Sequence, residues 1–352
     1  MAKSARRRNG GALSFLLWLS VAAGAAAIFA FAFFSSAVGR AGPKVEDTTF
    51  IVERGATGAS IASDLEAQGL ISNALLFRLA NRLYAGGASL QAGEYRIPAR
   101  ASVRQIVEMM ASGEALQHAI TFPEGITIAG VMRVLEESDV LTGEMPEAPP
   151  EGSVLPETYH VQRGMTREAL LGQMRAAHDE ALAEIWAGRR PGTPVRSPEE
   201  LVNLASIVER ETGVARERPL VAAVIMNRLR RPMRLEMDST IIYGVCKRHP
   251  DRCVDGRLVN AQGQRRTIRQ SEIALDTGYN TYRIDGLPPT PIANPGRAAM
   301  EAVANPAESD ALFFVADGSG GHVFTATIAE HNAAVARWRQ IEAQRLAEER
   351  AN

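Results

Sequence analysis

Cysteine is scarce in this 352-residue chain, with Cys246 and Cys253 the only two. A scaffold stapled by several disulfides is therefore excluded, and since neither stands near the amino-terminal apolar run, so is a lipoprotein anchor. Charge of one sign is not in excess either. Lys and Arg number 39 against 40 Asp and Glu, for a net charge of −1, which lacks the basic surplus that nucleic-acid binding draws on. No internal repeat is visible. The sharpest absence is local: no charge occurs from Leu13 to Phe34. About 20 apolar residues cross a bilayer, so the sequence predicts a transmembrane anchor over 13–38. Ser36, Ala37 and Gly39 are small enough for a signal-peptidase site, but signal cores run only about 7 to 15 residues, which favours a retained anchor. Lys3, Arg6, Arg7 and Arg8 form a basic tail over 1–12 that stays in the cytoplasm. Without those four, the rest of the chain carries a charge of about −5, from the total of −1.

Beyond the anchor the pattern is that of an α+β protein. TTFIVERG alternates as a strand, helices are predicted after it and over 73–84, LQAGEYRIP returns as a strand, and Ser102 caps a further helix. These residues, 46–118, make a small module that binds glycan or spaces the remainder from the membrane. A second domain of mixed α/β character is expected over 119–338, with a Pro-rich loop at 144–152 and a charged tail at 339–352. The segment CKRHPDRCVDGRLVNAQGQRRTIRQ reads as a long basic surface loop. In an oxidising compartment its two cysteines favour a disulfide over a zinc site with His249, for which no fourth ligand is evident.

Residues Leu204 to Glu211 read LASIVERE and place two carboxyl groups late in a mostly apolar helix. A carboxyl there costs free energy unless something requires it. Ser197 is the expected N-cap, Pro198 the first helical residue, and Glu200 the partner of a capping box. Leu201, Leu204, Ala205, Val208 and Thr212 then share one stripe, with Glu209 and Glu211 flanking it on opposite sides.

LASIVERET, ERPLVAAVIMNRLRRPMRLEMDSTIIYG, YNTYRIDGLPPTPIANPG and FFVADGSGGHVFTATIAEHN occur in this order. Together they resemble the endolytic murein transglycosylases, the YceG-like family; LQAGEY, TFPEG and LPETY fit its amino-terminal pattern, in which a LysM-like subdomain precedes the catalytic one. The resemblance implies a single-pass inner-membrane protein whose periplasmic domain cuts the bond between N-acetylmuramic acid and N-acetylglucosamine inside nascent peptidoglycan strands. It implies 1,6-anhydro ends, terminated or released chains, penicillin-binding synthases as partners, and no cofactor or metal. One carboxyl group suffices for that chemistry, because the sugar's own 6-hydroxyl attacks and the same group serves as acid and base. By resemblance the first acid of the IVE-x-E-T pattern, Glu209, is the catalytic one, and Glu211 pairs with Arg216 or Arg218 or helps orient the cleft. Asp238, Thr240 and Tyr243 are candidate substrate contacts or, for Asp238, a helix cap. Asn280 and Tyr282 suit N-acetyl groups and sugar rings, and Asn294 and His322 complete the candidates. Glu236 stands where the family pattern has glutamine. A membrane-tethered glycan-binding scaffold and a hydrolytic muramidase using a second carboxylate such as Asp238 are the competing readings.

Overall fold

The computed structural model describes residues 9–87 and 90–351. The basic residues Lys3 to Arg8 of the expected cytoplasmic tail lie outside them. Helix α1 (Asn9–Gly39) contains the apolar run. Its Ser14–Gly39 stretch, with a mean hydropathy of 2.2, is long and apolar enough to cross a membrane. Its large side chains are turned outward, Trp18 at 73% and Phe29 at 74% exposure, a surface that water disfavours.

The chain divides into two compact units, 1–118 with 162–164, and 119–161 with 165–352. In the first, β1 (Thr48–Val52) runs antiparallel to β2 (Gly93–Ile97), from Thr48 opposite Ile97 to Val52 opposite Gly93. Alternation in β1 turns Phe50 and Val52 inward, where they meet Tyr95 and Ile97. Between the strands stand α2 (Gly58–Ala67) and α3 (Ala74–Tyr84), capped by Thr57 and Asn73. Ser102 and Gln105 form a capping box on α4 (Val103–Ser112), which ends at left-handed Gly113. The β-α-α-β order thus closes around one core, which Val38 at the end of α1 also enters.

The elements β3 (Gln117–Thr121) and β4 (Thr158–Gln162) pair. The second unit is mostly helical: α5 (Ile128–Glu137), α6 (Arg167–Ala187), α7 (Pro198–Glu211), α8 (Arg218–Arg230), α9 (Asp238–Arg248), α10 (Gln270–Ile273), α11 (Arg297–Ala304) and α12 (Ile328–Ala351). Two antiparallel hairpins interrupt them, β5 (Cys253–Val254) with β6 (Arg257–Leu258), and β7 (Phe313–Ala316) with β8 (His322–Thr325). Helix α12 runs on through the charged residues expected as a tail over 339–352.

Helix α7 is the axis of this unit. Ser197 caps it by accepting the Glu200 N–H at 3.2 Å. The expected capping box is not made, because the Glu200 carboxylate reaches past the cap to the Arg196 N–H at 2.6 Å. The predicted stripe is buried, and so are Val202, Asn203, Ser206 and Ile207 on the other sides. Helices α6, α8, α9 and α11 all pack against it, so a helix that reads as amphipathic is enclosed almost all round. Truncating a residue such as Leu204 to Ala would cost about 2–5 kcal/mol. Its first turn, Pro198 to Glu200, and its last, Glu209 to Glu211, emerge from this core.

Candidate functional site

Glu209 is closed on both oxygens. Arg218, at the start of α8, donates to Oε1 at 2.9 Å, and the Gly296 N–H just before α11 donates to Oε2 at 3.0 Å. The side chains of Glu209 and Arg218 are 4% and 11% exposed. Burial pushes the Glu209 carboxyl above its ordinary range, while the Gly296 N–H and the Arg218 guanidinium pull it back. The same Arg218 Nη2 also reaches Glu124 at 2.9 Å. A Cβ at position 296 would lie 2.2 Å from Glu124 Oε1, so a side chain there would displace that carboxylate from its place beside Arg218.

Glu211 differs. Its Oε1 accepts the Ser239 hydroxyl at 2.6 Å and the Ser239 N–H at 3.3 Å. No group among the described residues donates to Oε2. The carboxyl thus sits at the N-terminus of α9, where the helix dipole favours negative charge, and takes the place beside the helix that the sequence offered to Asp238 as a cap. Asp238 is instead the first residue of α9 and has no capping bond. Burial raises the Glu211 pKa, Asp238 adds to the rise, and the Ser239 hydrogen bonds and His322 oppose it. The expected pairing of Glu211 with Arg216 or Arg218 is not formed, since Arg218 is taken by Glu209.

Around Glu211 the fold gathers three of the predicted residues. The Tyr282 hydroxyl donates to Asp238 Oδ1 at 2.9 Å, and burial together with Asp238 holds that phenol protonated. His322 opens β8, with its N–H 3.0 Å from Glu217 Oε1 and ring Nδ1 2.8 Å from Oε2. Thr212 donates to the same Oε2 at 3.1 Å. Burial raises the Glu217 pKa, but these bonds outweigh it and the net shift is downward. Glu217 therefore fixes the His322 ring as a charged acceptor.

Three other candidates are withdrawn from any surface. Asn280, Thr240 and Asn294 are each 0% exposed. Asn280 Nδ2 donates to the carbonyls of Ile273 and Leu275, and its Oδ1 accepts the Tyr282 N–H. The Thr240 hydroxyl bonds Met237 O and Thr281. Asn294 ties Ile126 O, Glu151 and the Val154 N–H together. Their polar groups are used up holding loops, which corrects the expectation that they meet substrate. Glu236 accepts from Arg228 at 3.2 Å. Cys246 and Cys253 are joined as a disulfide, and among the described residues no group of three or more His, Cys, Asp or Glu is arranged to hold a metal.

Tyr243 leads to a residue the sequence did not single out. Its hydroxyl donates to Glu151 Oε2 at 3.2 Å, and Glu151 Oε1 accepts the Ile128 N–H at 2.8 Å and Asn294 Nδ2 at 3.1 Å. Burial pushes the Glu151 pKa up to about 7. Glu151, Tyr243 and Lys247 line two cavities of 330 and 550 Å³.

A model of the YceG-like family matches residues 50–337, most of the chain. The chain belongs to the YceG-like family. An endolytic murein transglycosylase of Bacillus subtilis (strain 168) is 26% identical over 314 residues, covering 80% of this chain and 82% of that protein. One from Streptococcus pneumoniae serotype 2 is 27% identical over 321 residues, covering 78% of this chain and 55% of the pneumococcal protein, so the chain spans about half that relative's length. The crystal structure of a yceG-like protein from Listeria monocytogenes aligns at a TM-score of 0.46 and 26% identity, over 82% of this chain and 99% of that one.

Within this YceG-like chain, the partners Arg218 and Glu217 were visible in ERPL but carried no sign that one would meet Glu209 and the other His322. Glu151 lay inside a Pro-rich loop that reads as a boundary. Nothing in its local sequence signals burial; its neighbours in the fold are 23, 92 and 143 positions away.

Proposed function

We propose that the protein is an endolytic lytic transglycosylase of peptidoglycan and that Glu211 is its general acid and base. Family membership and the names of the relatives support the reaction class. The observation that carries the residue is the contrast at the end of α7: Glu211 is held at Oε1 by Ser239 and open at Oε2, whereas Glu209 is engaged at both oxygens. A carboxyl delivers a proton only from an oxygen that a substrate can reach. Glu209, expected from the family pattern to be that acid, becomes a positioning residue that joins the end of α7 to Arg218 and the Gly296 turn.

In the reaction Glu211, its pKa raised, gives its proton to the glycosidic oxygen of the leaving N-acetylglucosamine as the bond to the anomeric carbon breaks. The 6-hydroxyl of the muramic acid then bonds that carbon and returns its proton to Glu211, closing the 1,6-anhydro ring without water. Asp238 supports the raised pKa by like-charge repulsion, and Tyr282 and His322 stand where they contact sugar.

The apolar α1 supports single-pass anchoring in the inner membrane with the catalytic unit in the periplasm, and the β-α-α-β order of the first unit supports a LysM-like, glycan-binding role. Mass spectrometry of products tests the whole reading, with the full chain in detergent micelles acting on uncross-linked glycan strands. Fragments ending in 1,6-anhydro sugar, lost in Glu211→Gln, are expected. Reducing ends would mean a hydrolase, with Asp238 as the second carboxylate. Strands bound but left intact would mean a scaffold.

A further inference from the structure

The basic segment between α9 and α10 has a defined place in the fold. The Cys246–Cys253 disulfide closes its base, and Cys253 pairs with Leu258 and Val254 with Arg257 in the β5–β6 hairpin. Asp255 and Gly256 make the turn with φ of +51° and +65°, the left-handed pair that a tight type I′ turn needs. The tip is fixed at two points and closely approached at a third. Asp255 pairs with Arg133, Arg210 Nη2 donates to Gly256 O at 2.9 Å, and a Cβ on Gly256 would stand 3.1 Å from Thr127 Cγ2. Arg210 lies between Glu209 and Glu211 in the sequence, so the hairpin is bonded directly to the acid-bearing end of α7.

The hairpin and the residues that follow it present positive charge without partners, Arg257 on β6 and Arg265 beyond it, bridged to Val259. Arg266 is spent on a two-pronged pair with Glu272 at 2.8 and 2.7 Å. Arg257 and Arg265 are exposed and make no side-chain hydrogen bond or ion pair among the described residues. Both are close enough to Arg210 to add to the lowering that burial imposes on its guanidinium. Clustered like charges are unfavourable until an anion joins them, and a guanidinium fork matches a carboxylate.

We propose that the disulfide-tethered hairpin and the residues that return from it form an anion-binding wall of the substrate cleft, where Arg257 and Arg265 take free carboxylates of the peptide stems on the glycan. The inference rests on the glycan-cleaving reading of Glu211. It follows from where the anions are. N-acetylglucosamine is neutral, and the lactyl carboxyl of the muramic acid is spent in the amide to the stem. The carboxylates left are those of the stem, which hangs from the sugar whose anomeric carbon reacts and so lies next to the catalytic carboxyl.

The test uses the full chain in detergent micelles and two uncross-linked strands, one with stems intact and one stripped of them by an amidase, its freed lactyl carboxyls then capped as neutral methylamides. Wild type is compared with Arg257→Gln/Arg265→Gln and with Arg257→Glu/Arg265→Glu. For stem-bearing strands KM rises about fivefold in the first variant, the size expected of two exposed ion pairs, and further in the second. The kcat on both strands and KM on stripped strands stay unchanged, and the wild-type preference for stems fades at high salt. Equal changes in KM on both strands, or none on either, overturn the proposal. So does loss of binding to anionic lipid vesicles with stem preference retained, which would assign the arginines to a membrane surface. Co-sedimentation with both strands separates this inference from the reading beneath it. Tighter binding of stem-bearing strands, lost in the variants but without cleavage, would remove the reaction and leave the wall; equal binding would remove the wall.

Discussion

Glu209 and Glu211 are separated by one residue on α7, yet they occupy unlike surroundings. Two steps along a helix rotate a side chain by about 200°. One carboxyl therefore faces the start of α8 and the Gly296 turn, the other the start of α9. Glu209 meets a guanidinium and a backbone N–H and is 4% exposed. Glu211 meets a serine on one oxygen and, among the described residues, no donor on the other. Both have raised pKa values for the same first cause, burial. The difference teaches that a raised pKa does not distinguish two acids by itself; the proposed role of Glu211 rests on its oxygen without a donor.

The comparison breaks most sharply on activity. Glu211→Gln is expected to lower kcat by about 10²–10⁴-fold with little change in melting temperature, whereas Glu209→Gln loses about tenfold or less when assayed below its lowered melting temperature. An inactive, normally stable Glu209→Gln enzyme beside an active Glu211→Gln enzyme would exchange the two roles.

Next in size is stability. Arg218→Met leaves Glu209 buried without its countercharge, and chemical denaturation should show a loss of about 3–5 kcal/mol. Glu209→Gln/Arg218→Met should recover part of it, because the uncompensated charge is gone.

Glu151 sharpens the contrast from a third side, as a buried carboxyl with several donors but no adjoining guanidinium bond. Its pKa rises from 4.5 to about 7, so the folded state prefers it protonated. The stability this contributes is full below 4.5 and is lost as pH rises through about 7. Urea denaturation between about pH 5 and about pH 8 should show up to about 3 kcal/mol of loss, and Glu151→Gln should flatten the profile.

The smallest effect concerns the tuning of Glu211. A general acid works while protonated, so kcat/KM falls as pH passes its pKa. Ser239→Ala removes a bond that lowers that pKa and should move the alkaline limb up by less than about one unit. Asp238→Asn removes a repulsion that raises it and should move the limb down. Shifts of the same sign would detach these residues from Glu211.

Much of this was legible in the chain. Ser197, Pro198 and the spacing from Leu201 to Val208 placed α7, and quoted motifs placed the family. The capping of α4 followed from Ser102. The choice between the two acids was not legible, because it depends on Arg218 turning to one and Ser239 to the other. Asn280 and Asn294 misled for a related reason. An amide that could meet sugar has the same sequence appearance as one that satisfies buried carbonyls, and only the packed loops reveal which.

By itself, then, the sequence determined what local spacing encodes: one apolar span, capped helices, a strand-helix-helix-strand module, and two acids at the end of a buried helix. These follow from short-range periodicity and backbone hydrogen bonding. Tertiary structure alone decided which acid keeps an open oxygen, that Glu151 is buried in a Pro-rich loop, and that the disulfide hairpin is bonded to α7 through Arg210. Each of those depends on charges and donors far apart in the chain being brought within a few ångströms, where desolvation and pairing set the chemistry.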